Sequence, residues 1–172
     1  TDIAKARETM KTTAKIIAYH ATTVNTAQRD FRQFKSEGSK NDKEGNPYVP
    51  FIRQSDQKEI EPGDPEYRAM IDGWTKILEG HDLQKAEIQV VGENPQPRFF
   101  FSPDGAAKME KWSRGVAGQE ENLAFVLDGR VISIAAIKKD VPYLSGEAFI
   151  DGTFTPDYVK RLVTLLNSGA LP

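Results

Sequence analysis

The sequence predicts an α+β fold with a mostly antiparallel sheet and packed helices. Strand-like and helix-like stretches alternate along the chain rather than separating into blocks. NLAFVLDGRVISIAAI (122–137) places two apolar runs on either side of Asp128-Gly129, the dipeptide that tolerates the positive φ angles of a tight hairpin turn. Helix starts of the Ser/Thr/Asp-Pro kind recur at Asp64-Pro65, Ser102-Pro103 and Thr155-Pro156.

From the N-terminus, Asp2 is a candidate cap for a short helix over 2–13, with Ile3, Ala6 and Met10 on one face. AKIIAYHAT (14–22) is rich in strand formers. Residues 25–63 turn polar: SEGSKNDKEGNP (36–47) has almost nothing to bury, and YVPFI (48–52) is the main apolar anchor. The expectation there is a mobile, solvated insertion. GDPEYRAMIDGW (63–74) then starts a helix with Asp64 as N-cap and Pro65 at the first helical position, ending at Gly73.

TKILEG (75–80) and AEIQVV (86–91) read as strands. PRFFFS (97–102) does too, with Phe99 and Phe101 on one face and Phe100 on the other. Ser102 or Asp104 caps a helix from Pro103 to about Arg114. GEAFIDGTF (146–154) is a further strand. Thr155, Pro156 and Asp157 open a last helix whose Val159, Leu162, Val163, Leu165 and Leu166 form a broad apolar face.

Composition narrows the function. The 172 residues carry 23 Lys plus Arg against 25 Asp plus Glu, a net charge of −2, which speaks against a nucleic-acid binder. With 38% hydrophobic and 28% charged residues the chain can build a core. Its apolar runs, such as Val131 to Ile137, fall far short of the ~20 residues of a membrane helix. The chain begins at Thr1 and ends at Pro172, and both ends read as cut from something longer. There is no cysteine, so disulfides, thiolate metal sites and thiol nucleophiles are excluded.

His20 and His81 are the only imidazoles. His20 lies in a strand beside Tyr19 with no serine or carboxylate near it in sequence, and reads as an ordinary strand residue. His81-Asp82 are adjacent and point apart on most backbones, so Asp82 reads better as a cap or turn residue than as a metal ligand. Glu110 and Asp128 could form a carboxylate pair, but Asp128 already has a turn to explain it. No phosphate-binding glycine loop is present. The expectation is therefore no catalytic residue, no cofactor and no metal. The apolar material in PRFFFS and DVPYLSG (140–146) suggests either core filling or a surface that takes an unfolded polypeptide. A small extracytoplasmic hydrolase or carbohydrate-binding protein using Glu110, Asp128 or His20 is the alternative.

Several ordered motifs resemble one family. Leu123 to Ser133, Gly146 to Thr155 and Ser168 to Pro172 are similar to phrases that occur in this order in the first extracytoplasmic (P1) domain of the protein translocase subunit SecD, or the SecD half of fused SecDF. The likeness covers 75–172 and, more loosely, 2–20; residues 23–63 match nothing in it. Ile134-Ala135 stands where the family commonly has Ala-Pro, so the second hairpin strand should run on more regularly.

The resemblance implies a non-enzymatic domain on the periplasmic face of the bacterial inner membrane, attached through transmembrane segments absent from this sequence. Its implied partners are unfolded preprotein, SecF and the SecYEG channel. It further implies a ferredoxin-like base (1–22 and 146–172), the polar insertion (23–63) and an inserted head (64–145) that moves in response to proton-motive force. On that reading Phe99, Phe101, Val141, Tyr143 and Leu144 are candidates for polypeptide contact. Thr23, Thr26, Ser145 and Gly146 are candidates for hinges.

Overall fold

The computed structural model describes residues 15–22, 24–25, 34–116, 119, 121–137, 146–150 and 152–168. Among them are β1 (Ile16–His20), β2 (Val24–Asn25), β3 (Phe34–Ser36), β4 (Lys40–Asn41), β5 (Pro47–Tyr48), β6 (Phe51–Arg53) and β7 (Lys58–Ile60). These are followed by α1 (Pro65–Asp72), β8 (Thr75–Leu78), a 3-10 turn (Gly80–Asp82), β9 (Leu83–Val91) and β10 (Asn94–Phe101). The last elements are α2 (Pro103–Gly115), β11 (Asn122–Leu127), β12 (Arg130–Ala136), β13 (Glu147–Phe149) and α3 (Pro156–Asn167). The class is the expected one, helices on antiparallel sheets, with β2 and β3 the one parallel pair among the described residues. The helix expected over 2–13 lies outside the described residues.

The central sheet runs β12-β11-β1-β8. All six residues of β11 are buried, because both faces of this sheet are covered. On one face Leu123, Phe125 and Leu127 join Ile16, Phe99, Met109 and the apolar side of α3. On the other, Ala124 and Val126 meet Tyr67, Met70 and Trp74, together with Phe34, Val49, Phe51 and Ile60. A strand buried on both faces reads as an unbroken apolar run, as NLAFVL does.

Two expectations can be compared with the packing. The first is the mobile insertion. From 34 to 60 the chain supplies three strands, β3, β6 and β7, of the small sheet β2-β3-β6-β7, and it closes the second core with the buried Phe34, Val49, Phe51 and Ile60. Its apolar residues are few, yet most of them are placed inward, which is enough for strands of two or three residues. The second is the set of boundaries at 22, 64 and 146. β1 is an inner strand between β8 and β11, so a strand assigned to the base shares a sheet with strands assigned to the head. β13 and α3 in turn lie on β9 and β10. The packing does not divide where those boundaries fall.

The helix starts work by two different means. Ser102 Oγ accepts from the Gly105 N–H at 3.1 Å and Thr155 Oγ1 from the Tyr158 N–H at 3.2 Å, the expected cap bonds. Asp64 occupies the cap position of α1, but its carboxylate accepts from the Glu61 N–H at 2.9 Å instead and makes no side-chain cap. Pro65 and the Glu66 carboxylate in the first turn remain as start signals there.

The β11–β12 hairpin turns on Asp128 (φ 53°) and Gly129 (φ 79°). Two successive left-handed residues match the right-handed twist of the strands. β12 continues through Ile134 and Ala135 to Ala136, as their sequence suggested. Gly129→Val forces a β-branched residue into the left-handed region and is expected to cost about 2 kcal/mol. That corresponds to a Tm lower by about 4–8 °C for a chain of this size. An unchanged melting curve would show that the turn does not depend on this conformation.

Candidate functional site

The catalytic candidates do not converge. His20 Nε2 lies 3.1 Å from Glu121 Oε2, with its ring edge-on to Trp112 at 5.4 Å. Glu110 accepts from Arg114 one helical turn on, at 2.8 Å. Asp128 sits at the other end of the sheet from His20: its N–H donates to the Lys15 carbonyl, whereas His20 pairs with Leu123. Five residues of extended strand separate those ends, roughly 16 Å. Desolvation by its surroundings pushes the Asp128 carboxyl above its ordinary value and Arg130 opposes the rise, yet the residue is exposed at the turn and has no catalytic partner.

Asp82 is structural. Its carboxylate accepts from the Glu79 N–H at 3.0 Å and from Lys108 Nζ at 3.0 and 3.1 Å, closing the 3-10 turn as a capping box. Burial raises its pKa, but that backbone bond and the Lys108 ammonium outweigh the rise and hold the carboxyl below its usual range. His81 Nε2 is 3.7 Å from it. Among the described residues no three His, Asp or Glu side chains gather as a metal site would require.

A cleft of about 790 Å³ opens between α1, β1 and the β11–β12 turn. Lys15, Arg68 and Arg130 line it together with Asp64, Asp72 and Asp128. Charges of both signs therefore meet there, and no single class of ion is selected.

The apolar candidates separate more clearly. Phe99 is 0% and Phe101 4% exposed, and Phe99 packs edge-on against Phe125 at 5.6 Å. Both are core residues, which corrects their assignment as polypeptide contacts. Alternation put the two on one face, and that face is the inner one. Val141, Tyr143 and Leu144 lie outside the described residues, as do Thr23, Thr26 and Ser145. The Gly146 carbonyl accepts from the Phe101 N–H at 2.9 Å, at the start of the segment that leads into β13.

Among the described residues the large apolar side chains that face solvent are Ile88 (44%), Val90 (65%), Val91 (47%) and Phe149 (49%). All four belong to one three-stranded sheet, β13-β10-β9. Ile88 and Val90 share the face of Ala86, which is covered, but lie further along β9 toward the hairpin tip. Val91 and Phe149 are on the opposite face. There the Arg98 guanidinium lies over the rings of Phe100 (4.7 Å) and Phe149 (5.0 Å) and pairs with Glu147. The signal in the sequence was slight: Val90-Val91 breaks the alternation of AEIQVV, so one of the two has to face outward.

The family description "SecDF, P1 head subdomain" matches residues 57–172. The protein translocase subunit SecD of Koribacter versatilis is 36% identical over 101 residues, covering 57% of this chain and 18% of the relative. SecDF of Thermus thermophilus is 34% identical over 99 residues, covering 56% of this chain and 13% of the relative. The chain spans less than a third of the length of the curated relatives it matches. A solved structure of "a membrane component SecDF that enhances protein export" aligns with 99% of this chain and 70% of its own, with a TM-score of 0.59 at 23% identity. At that identity the alignment speaks for the fold. No helix of the described residues is long and apolar enough to cross a membrane. With the P1 head description matching two thirds of its length, this chain belongs to the SecD/SecDF family of protein translocase subunits, of which it represents the P1 domain.

Proposed function

We propose that this chain is the periplasmic, non-enzymatic P1 domain of a Sec protein-export subunit and that it contacts unfolded preprotein as it emerges from the SecYEG channel. The observation that carries the contact is the grouping on one sheet of Ile88, Val90, Val91 and Phe149, the large apolar side chains most exposed among the described residues. An exposed apolar surface beside an open sheet suits an extended chain, which offers both apolar side chains and unpaired backbone groups. SecF and the channel are the proposed assembly partners. Proton-motive force is sensed by membrane segments outside this sequence, and the domain answers by moving about joints near Thr23 to Thr26 and Ser145-Gly146.

The contact is tested by NMR titration of the labelled chain with an unfolded, signal-peptide-bearing preprotein segment, alongside a folded control. Shifts at Ile88, Val90, Val91 and Phe149 with the unfolded segment alone are expected. No shifts at millimolar concentration would remove polypeptide contact from the reading of this domain.

A further inference from the structure

The two edges of the β13-β10-β9 sheet are finished differently. In an antiparallel strand, alternate residues direct both backbone groups to the same side. On β10 the odd-numbered residues face β13: the Pro97 carbonyl accepts from the Ile150 N–H at 3.0 Å, and the Phe101 N–H donates to Gly146. Among the described residues β13 pairs with β10 only as far as Arg98 and Phe149, which leaves the end of β10 beyond it as an edge. Pro95 and Pro97 stand there with no N–H to offer, a common way of blocking strand addition.

The outer edge of β9 has no such block. Its outward residues are Ala86, Ile88 and Val90, and the first shows what this edge accepts. The Ala86 N–H donates to Asn167 Oδ1 and the Ala86 carbonyl accepts from Asn167 Nδ2, both at 2.8 Å. Asn167, the last residue of α3, thus presents its side-chain amide as a neighbouring strand would present a peptide group. Two and four residues further on, Ile88 and Val90 point the same way. Among the described residues no strand pairs with them on that side. Their side chains lie on the face that α3 covers at Ala86, but the helix ends at Asn167 and leaves both exposed.

We infer that the β9 edge from Ile88 to Val90 takes an extended polypeptide segment as an added strand, with the Asn167 side-chain amide marking where the addition stops. This rests on the proposed polypeptide contact and specifies how it is made. Backbone groups supply the pairing and Ile88 and Val90 supply the apolar contact, so the site selects extended, apolar-rich segments without reading a sequence. A second copy of the chain is a poor occupant. Two β9 edges paired about Gln89 would join three residues a side, far below the ~1,000 Å² of a stable interface.

The test uses the 172-residue chain and a soluble peptide of alternating valine and serine with lysine at both ends. A twin peptide is N-methylated at every valine and serine, so that it has no N–H to donate on either edge. The expected result is slowed hydrogen exchange at the Ile88 and Val90 amides with the first peptide, and about tenfold weaker binding of the twin. Val90→Pro removes an edge donor without touching the ladder to β10 and should weaken binding about tenfold, whereas Val90→Thr, which keeps the N–H, should weaken it less. Asn167→Ala frees Ala86 and should extend peptide-induced protection to its amide.

Equal binding of both peptides would overturn the strand addition while leaving polypeptide contact intact; because it uses the unaltered chain, this comparison holds even if a variant misfolds. Binding of neither peptide at millimolar concentration would overturn both. A concentration-dependent dimer that Val90→Pro abolishes would assign the edge to a second copy and overturn the inference.

Discussion

Gly105→Ala is expected to lower the stability of the domain by about 3 kcal/mol, read as a shift of the urea midpoint with an unchanged slope. The sign is the informative part, since alanine inside a helix is normally better than glycine by about 1 kcal/mol. At this position a Cβ would lie 2.4 Å from the Asp82 carbonyl oxygen and 2.9 Å from its Cβ. Neither atom can retreat easily. The Asp82 carbonyl accepts from the Ser102 N–H at 2.8 Å, and its carboxylate is held by the Glu79 N–H and Lys108. Accommodating the methyl group requires α2 to back away from the 3-10 turn, which disturbs Met109 in the core. A stabilised Gly105→Ala variant would show that α2 stands further from this turn than the geometry described here.

Tyr67→Phe is the second large effect, expected at about 2–4 kcal/mol. The Tyr67 hydroxyl is buried between the two halves of the second core. It donates to the Val49 carbonyl at 2.8 Å and accepts from the Val131 N–H at 3.1 Å. The phenylalanine keeps the ring but leaves a buried carbonyl and a buried N–H each short of a partner.

Burial pushes the Tyr67 phenol above its ordinary value of 10.0, against the opposing Val131 N–H. Above pH ~10 the unfolded chain gives up this proton while the folded chain keeps it, so stability falls as pH rises. The wild type should therefore lose stability on the alkaline side, and Tyr67→Phe should flatten part of that decline. Burial also raises Tyr158, so some of the decline will persist. A variant as stable as the wild type at pH 7 would mean that water satisfies the two groups.

The elements most legible in the sequence are those whose signals are local. Proline after a capping residue marked all three described helices, and Asp128-Gly129 marked the hairpin turn. Even so, Asp64 shows the limit of such signals, because its side chain serves the preceding loop and the helix starts without it. The strands of 34–60 were hidden because two or three residues are too few to show a period. PRFFFS displayed two faces, but nothing in six residues tells which one turns inward; that follows from Phe125, which lies beyond α2 in the chain.

The β9 edge was less legible still. The Ala86–Asn167 pair joins residues 81 positions apart, and an asparagine at a helix end has many ordinary explanations. By contrast, the family was visible in whole phrases, because a motif is matched as a string and needs no knowledge of which residues meet.

The position of β1 bears on how this domain comes into being. Ile16 pairs with Leu127, so an inner strand of the central sheet is made near the start of the chain and meets its longer partner more than a hundred residues later. At synthesis rates of about 5–20 residues per second that interval is roughly 5–20 s. During it the apolar Ile16-Ile17-Ala18 segment has no sheet to join, since β8 alone offers a short and bulged edge. The central sheet cannot close until β11 and β12, more than a hundred residues after β1, are available. Such distant pairing makes for slow folding and leaves the nascent domain in need of protection from other sticky chains.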